Sequence, residues 1–194
     1  MVTNPDPGLT NEDHLALLQI GKPRFVVATT TNHYRGIEKF CQRHEGVLTV
    51  CSQPALSWYA RTVPVPLTSP TALEDHLRKG TILLPVDGVR TGETWIEIEH
   101  NGAHAWIVPD AFSNVLSHPP LPFGIVTRLL RMAGGLRLSR TFRWFSISDR
   151  ATFKKWFERQ ATRTTPRVLV PARGEPLSDM DLTRRLLLLV HTYI

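Results

Sequence analysis

The sequence predicts an α/β protein with a mixed sheet, and three observations carry that prediction. The chain opens as helix, strand, helix, strand, the order that builds parallel sheets. Its middle holds an Asn101-Gly102 pair between two strand-like runs, the mark of an antiparallel hairpin. Its last third returns to an amphipathic helix, a short β-rich run and a closing helix.

Each element has a local reason. Residues 10–20 read as a helix, because Thr10 can cap it, Asp13 stands at the capping-box position and Gly21 ends it. Residues 25–30 form a β-rich run after Pro23. After a turn carrying Asn32 and His33, the residues Tyr34, Ile37, Phe40, Cys41 and His44 recur at helical spacing up to Gly46. Residues 47–51 and 82–86 are strands, the second ending at the Asp87-Gly88 turn. Residues 94–100 alternate, with Glu97 and Glu99 on one face and Ile96 and Ile98 on the other, and 103–108 is the hairpin partner. Residues 124–132 are expected to be helical up to Gly134-Gly135. Residues 149–161 are an amphipathic helix whose buried stripe is Phe153, Trp156 and Phe157. Residues 168–170 are a strand, and Ser178 is expected to cap the last helix, with Asp181 at the capping-box position.

Composition sets the outer bounds. With 194 residues, the chain is expected to be a flexible stretch over 1–9 and a single domain over 10–194. Its first nine residues are polar, so they do not form a secretory signal. The longest aliphatic run, residues 186–190, is too short to span a bilayer, and no membrane partner is expected. Cys41 and Cys51 have neither metal-type spacing nor a disulfide framework, which fits reduced thiols in a cytoplasmic protein. The net charge of +6 permits anionic partners but does not select a fold.

Two motifs stand in order along this framework. The strand over 25–30 runs into Thr31-Asn32-His33-Tyr34-Arg35-Gly36-Ile37, and the hairpin strand ends in Val108-Pro109-Asp110. A later strand ends in Pro171-Ala172-Arg173-Gly174. In this order and spacing the chain resembles the metallo-β-lactamase superfamily. The resemblance implies a mixed-sheet αββα four-layer sandwich and, in active members, a metal-dependent hydrolase. It places His33 on a retained ligand histidine and Asn32 on an aspartate. Ala28 and Thr30 fall on two further histidines, Glu93 on a third site and Arg173 on the last. Asp110 matches the metal-bridging aspartate. Family members carry more strands before the first motif than the 24 residues ahead of Phe25 provide. The domain is therefore expected to be trimmed at its N-terminus, or to have its first sheet made up by other segments or a partner chain.

The chemistry follows from the ligand count. A catalytic zinc needs about three protein ligands and an open position. His33 and Asp110 supply two, and Glu93 adds a third only if it points inward. An arginine in that shell opposes a cation and can pair with Asp110 instead. The expected cofactor is therefore none, with zinc or another divalent metal on His33 and Asp110 as the alternative. Two functions stand side by side. One is a catalytically inactive or weak pseudoenzyme that acts as a binding module, with Arg173 supplying an anion-binding charge. The other is a hydrolase of ester, thioester or amide bonds with a reduced metal site. His33 and Asp110 also have plainer readings, as a helix-start histidine and a turn residue. His100 and His104 flank the hairpin turn as solvated residues, and Ser113, Ser117 and His118 lack a nucleophile elbow.

One basic stretch remains. Arg128, Arg131, Arg137, Arg140 and Arg143 interleave with Phe142, Trp144 and Phe145. Such a pattern can hold single-stranded nucleic acid by phosphate contacts and stacking. Its plain reading is a solvated face whose arginine stems lie over an apolar patch. The partner is otherwise unspecified, with a homo-oligomer among the options.

Overall fold

The computed structural model describes residues 1–116 and 134–194. The helix expected over 124–132, with Arg128 and Arg131, lies outside the described residues, as do Ser117 and His118. The chain divides into two compact units, Met1–Arg78 with Thr91–Thr94, and Lys79–Arg90 with Trp95–Ile194.

The first unit contains β1 (Val2–Thr3), α1 (Asn11–Ile20), β2 (Phe25–Ala28), α2 (Ile37–Arg43), β3 (Leu48–Cys51), α3 (Gln53–Thr62), β4 (Leu67–Thr68) and α4 (Thr71–Glu74). Its sheet has the order β1-β2-β3-β4, with every pairing parallel. All four residues of β2 are buried, which is why it reads as an unbroken apolar run. The capping box of α1 forms as expected, with Thr10 Oγ1 accepting from Asp13 N at 3.2 Å and Thr10 N donating to Asp13 Oδ2 at 2.8 Å. Val26, Ile37, Phe40, Ala55 and Tyr59 make the core.

The second unit contains β5 (Thr81–Pro85), β6 (Thr94–His100, whose first residue belongs to the first unit), β7 (Ala103–Val108), β8 (Phe112–Val115) and β9 (Gly135–Leu138). A π-helical turn over Phe142–Ser146 follows, then α5 (Arg150–Thr164), β10 (Val168–Pro171), β11 (Leu177–Ser178) and α6 (Leu182–Tyr193). The sheet order is β11-β10-β7-β6-β5. β6 and β7 are antiparallel, whereas β10 runs parallel to β7, so the sheet is mixed as expected. At the hairpin tip Asn101 and Gly102 take φ of 52° and 75°, the left-handed pair that a two-residue turn requires.

The stripe on α5 buries Phe153, Trp156 and Phe157 against the hairpin. Trp95 meets Trp156 at 5.0 Å and Phe157 at 6.0 Å, both edge to face. This packing decides which face of β6 is covered. Glu97 shares a strand face with Trp95 and is only 3% exposed, so that face is covered rather than solvated. Glu97 is satisfied there by Arg163 of α5, which forks onto both carboxylate oxygens, and by His104 Nδ1 at 3.0 Å. His104 is thus tied to a buried carboxylate rather than left as a solvated turn residue. The start of α6 is also a correction. Ser178 pairs in β11, and Asp181 is the N-cap residue without a side-chain cap bond.

Candidate functional site

The loop after β2 is built by local turns. Thr30 Oγ1 accepts from Asn32 N at 3.3 Å, and the Thr30 carbonyl accepts from His33 N at 3.4 Å and from the Tyr59 hydroxyl at 2.8 Å. Ala28 and Thr30, on the two motif histidine positions, are both fully buried. The segment carrying Glu93 is bonded to this loop, because Thr31 N donates to Thr91 O at 3.1 Å and Thr94 N to Thr29 O at 2.8 Å. Ser52 Oγ donates to Gly92 O at 2.7 Å and fixes it from β3's end. Asn32, His33 and Glu93 therefore lie on adjoining segments of the first unit, with Glu93 fully buried.

The N-terminal segment closes one side of the loop. Thr29 N donates to Asn4 Oδ1 at 3.0 Å, and Asn4 Nδ2 donates back to Thr29 Oγ1. A Cβ on Gly36 would stand 1.8 Å from the Pro5 carbonyl oxygen, so only glycine lets the strap lie so close. Between strap and loop is a cavity of about 220 Å³, lined by Asn4, Asp6, Asn32, His33, Arg35 and neighbouring residues.

The other motif residues lie in the second unit. β7 and β10 are parallel neighbours in register Val108↔Pro171, and Ala172 N extends the ladder to Val108 O at 3.0 Å. This places the residues just past both strand ends side by side. Arg173 Nη2 is 3.7 Å from Asp110 Oδ1. The loop bearing Arg173 is clipped to β8: Asn114 N donates to Arg173 O at 3.0 Å, Glu175 N to Asn114 O at 2.9 Å and Asn114 Nδ2 to Glu175 O at 2.8 Å. Gly174 has φ of 94°, and a Cβ there would come within 2.1 Å of Asn114 O. Asp110 is buried while Arg173 remains 43% exposed, so the guanidinium presents donors outward.

The Asp110–Arg173 pair opposes a cation at this strand end. A bridging carboxylate needs its oxygens for cations, and the nearby guanidinium places a fixed positive charge beside Asp110. Among the described residues, no group of three or more His, Cys, Asp and Glu side chains could hold a metal ion. Both cysteines are free thiols, and burial pushes Cys51 up to about 11.

Two clusters escaped the sequence. Besides Glu97 with His104 and Arg163, His14 Nδ1 lies 2.9 Å from His44 Nε2 in the first unit, both rings buried. Burial, followed by the nearby charge of Arg43, lowers the pKa of His14; burial, His14 and Arg43 lower that of His44. The one available signal was His44 on the apolar spacing of α2.

No protein-family model matches the chain, and no curated protein matches its sequence. Solved structures do match. A metallo-β-lactamase from Pontibacter korlensis superposes with a TM-score of 0.54 at 14% identity, over 93% of this chain and 76% of that one. The DIM-1 metallo-β-lactamase gives 0.53 at 12% identity, over 94% and 78%. The metal-soaked Flv1 flavodiiron core of Synechocystis sp. PCC6803 gives 0.61 at 12% identity, over 98% of this chain and 49% of that one. The class is therefore α/β, with the metallo-β-lactamase fold. At such identities the likeness is one of fold, and the site has to be read from this chain's own residues.

Proposed function

We propose that this chain is a divergent protein of the metallo-β-lactamase fold that binds an anionic ligand at Arg173 and carries no hydrolytic metal centre. The observation that supports this reading is the Arg173–Asp110 ion pair at the ends of β10 and β7. An Asp alone at that strand end would suit a cation. With Arg173 beside it, the local charge is balanced, and the exposed side of the guanidinium is left to engage a carboxylate or phosphate. The fold then serves as a scaffold for recognition.

Elemental analysis tests the metal half of the proposal. Protein purified without chelator and loaded with zinc, manganese or iron should retain far less than one equivalent. One equivalent, lost in His33→Ala or Asp110→Ala, would overturn it in favour of a metal-dependent hydrolase. Thermal shift with acetate, succinate and inorganic phosphate tests the other half. At least one of these anions should raise Tm in the native chain and fail to do so in Arg173→Gln. Equal responses in both proteins would remove Arg173 from the site.

A further inference from the structure

The basic stretch near residue 140 resolves into a specific surface. The π-helical turn is anchored by Phe142, which is buried against Phe153 at 5.4 Å, and by Ser146. Ser146 O accepts from Arg90 N at 2.8 Å. Ile147 N closes the wide turn on Phe142 O at 3.2 Å. Between the anchors the turn pushes two large rings into solvent, with Trp144 58% and Phe145 67% exposed. The guanidinium of Arg143 lies 4.9 Å over the ring of Tyr193, so the end of α6 adds a third aromatic beside the turn. Arg90, Arg140 and Arg150 are exposed around the turn. Arg90 is held there by its Nη2 bond to Ile147 O at 3.3 Å.

From this arrangement we propose that the turn and the end of α6 form a stacking platform for single-stranded nucleic acid. A solvated face with arginine stems lying over its rings would leave Trp144 and Phe145 covered, and they are not. Two further features select the partner. The exposed rings Trp144 and Phe145 follow Arg143 on one turn, which sets stacking faces beside a cation as a strand of bases and phosphates requires. From Gly134 to Ala151 the chain carries Arg137, Arg140, Arg143 and Arg150 against one carboxylate, Asp149. That carboxylate is engaged in capping α5 through Thr152 N at 3.0 Å and the Thr152 hydroxyl at 2.7 Å. A bilayer is a poorer match, because inserting the rings would bring Arg143 with them into the apolar layer.

Fluorescence anisotropy with a labelled oligothymidylate of about 20 nucleotides, longer than one site of this kind, tests the proposal on the full chain. Binding should weaken with salt, with a log–log slope of about −2 to −3 if three or four phosphates are contacted. Trp144→Ala and Phe145→Ala should each weaken binding roughly tenfold, and Trp144→Phe should recover most of the loss. Arg140→Ala should make the salt slope shallower by about 0.7. Lys155→Ala, off the platform, should leave affinity unchanged. No binding at low salt would overturn the proposal, as would equal affinity in the Trp144→Ala/Phe145→Ala double variant. Binding to phosphatidylserine vesicles without oligonucleotide binding would overturn it in favour of a membrane surface. Circular dichroism of each variant keeps misfolding from passing as lost binding.

Discussion

Truncating Arg163 would leave the carboxylate of Glu97 buried beneath α5 with His104 still bonded to it. A buried acceptor stripped of its main donor costs about 1–3 kcal/mol. Arg163 is half exposed, which draws the expected value for Arg163→Ala toward the lower end. Removing both partners avoids that orphaned charge, so Arg163→Ala/Glu97→Leu should cost less than the two single changes added together. Urea midpoints of the four proteins measure the coupling, and strict additivity would show that the pair does not interact. At Gly174 the constraint is backbone. An alanine there must adopt a left-handed φ and move the Asn114 carbonyl, at a cost of about 1–3 kcal/mol. Because that loop positions Arg173, Gly174→Ala should also lose the anion-dependent rise in Tm proposed for the native chain. A full Tm response in a folded Gly174→Ala protein would separate the loop's shape from ligand binding.

Among the elements, α1 and α2 share a titratable contact. The His14–His44 pair is flanked by Arg43 and Asp13, with Phe40 against both rings. Both folded pKa values lie below the ordinary value of 6.5. The unfolded chain therefore takes up protons first as pH falls. The pair's contribution is fully present above about 6.5, and is lost as pH drops through that value toward the lower folded pKa values. Urea midpoints should fall over this window in the native chain and fall less in His14→Leu/His44→Leu; parallel pH profiles would exclude the pair as the cause. The same elements show what the sequence could reveal. The capping box of α1 and the Asn101-Gly102 hairpin are written in local residues, and both form as read. α3 was missed because Pro54 and the adjoining polar residues obscure it, although Ser52, Ala55, Trp58 and Tyr59 hold an N-cap and helical spacing. β4 is two residues long, too short for any periodicity. The burial of Glu97 was not legible, because strand alternation identifies two faces without showing which of them a later helix will cover.

For the whole molecule, the order of the motifs foretold the metallo-β-lactamase fold even though the ligand residues had largely changed. Strand ends and their sequence order are properties of topology, and they survive substitution of the side chains they carry. The pairing of Arg173 with Asp110 was legible for the same reason, since both follow neighbouring parallel strands. The Asn4 contacts and the Gly36 close approach were not, because they depend on where a distant segment comes to lie. The two compact units also have separate apolar clusters that share no residue. Damage to one core should therefore lower local stability before it lowers the other's. Ile37 is fully buried in the first cluster, and truncating a buried isoleucine to alanine costs about 2–5 kcal/mol. Ile37→Ala should speed amide exchange in peptides from β2, α2 and β3 by the corresponding factor, roughly 30-fold or more. Peptides from β6, β7 and α5, whose protection rests on Trp95, Trp106 and Phe157, should keep their native exchange rates. Hydrogen exchange read by mass spectrometry distinguishes the outcomes: a confined loss means that the units open separately, whereas an equal loss everywhere means that the two clusters unfold as one cooperative body.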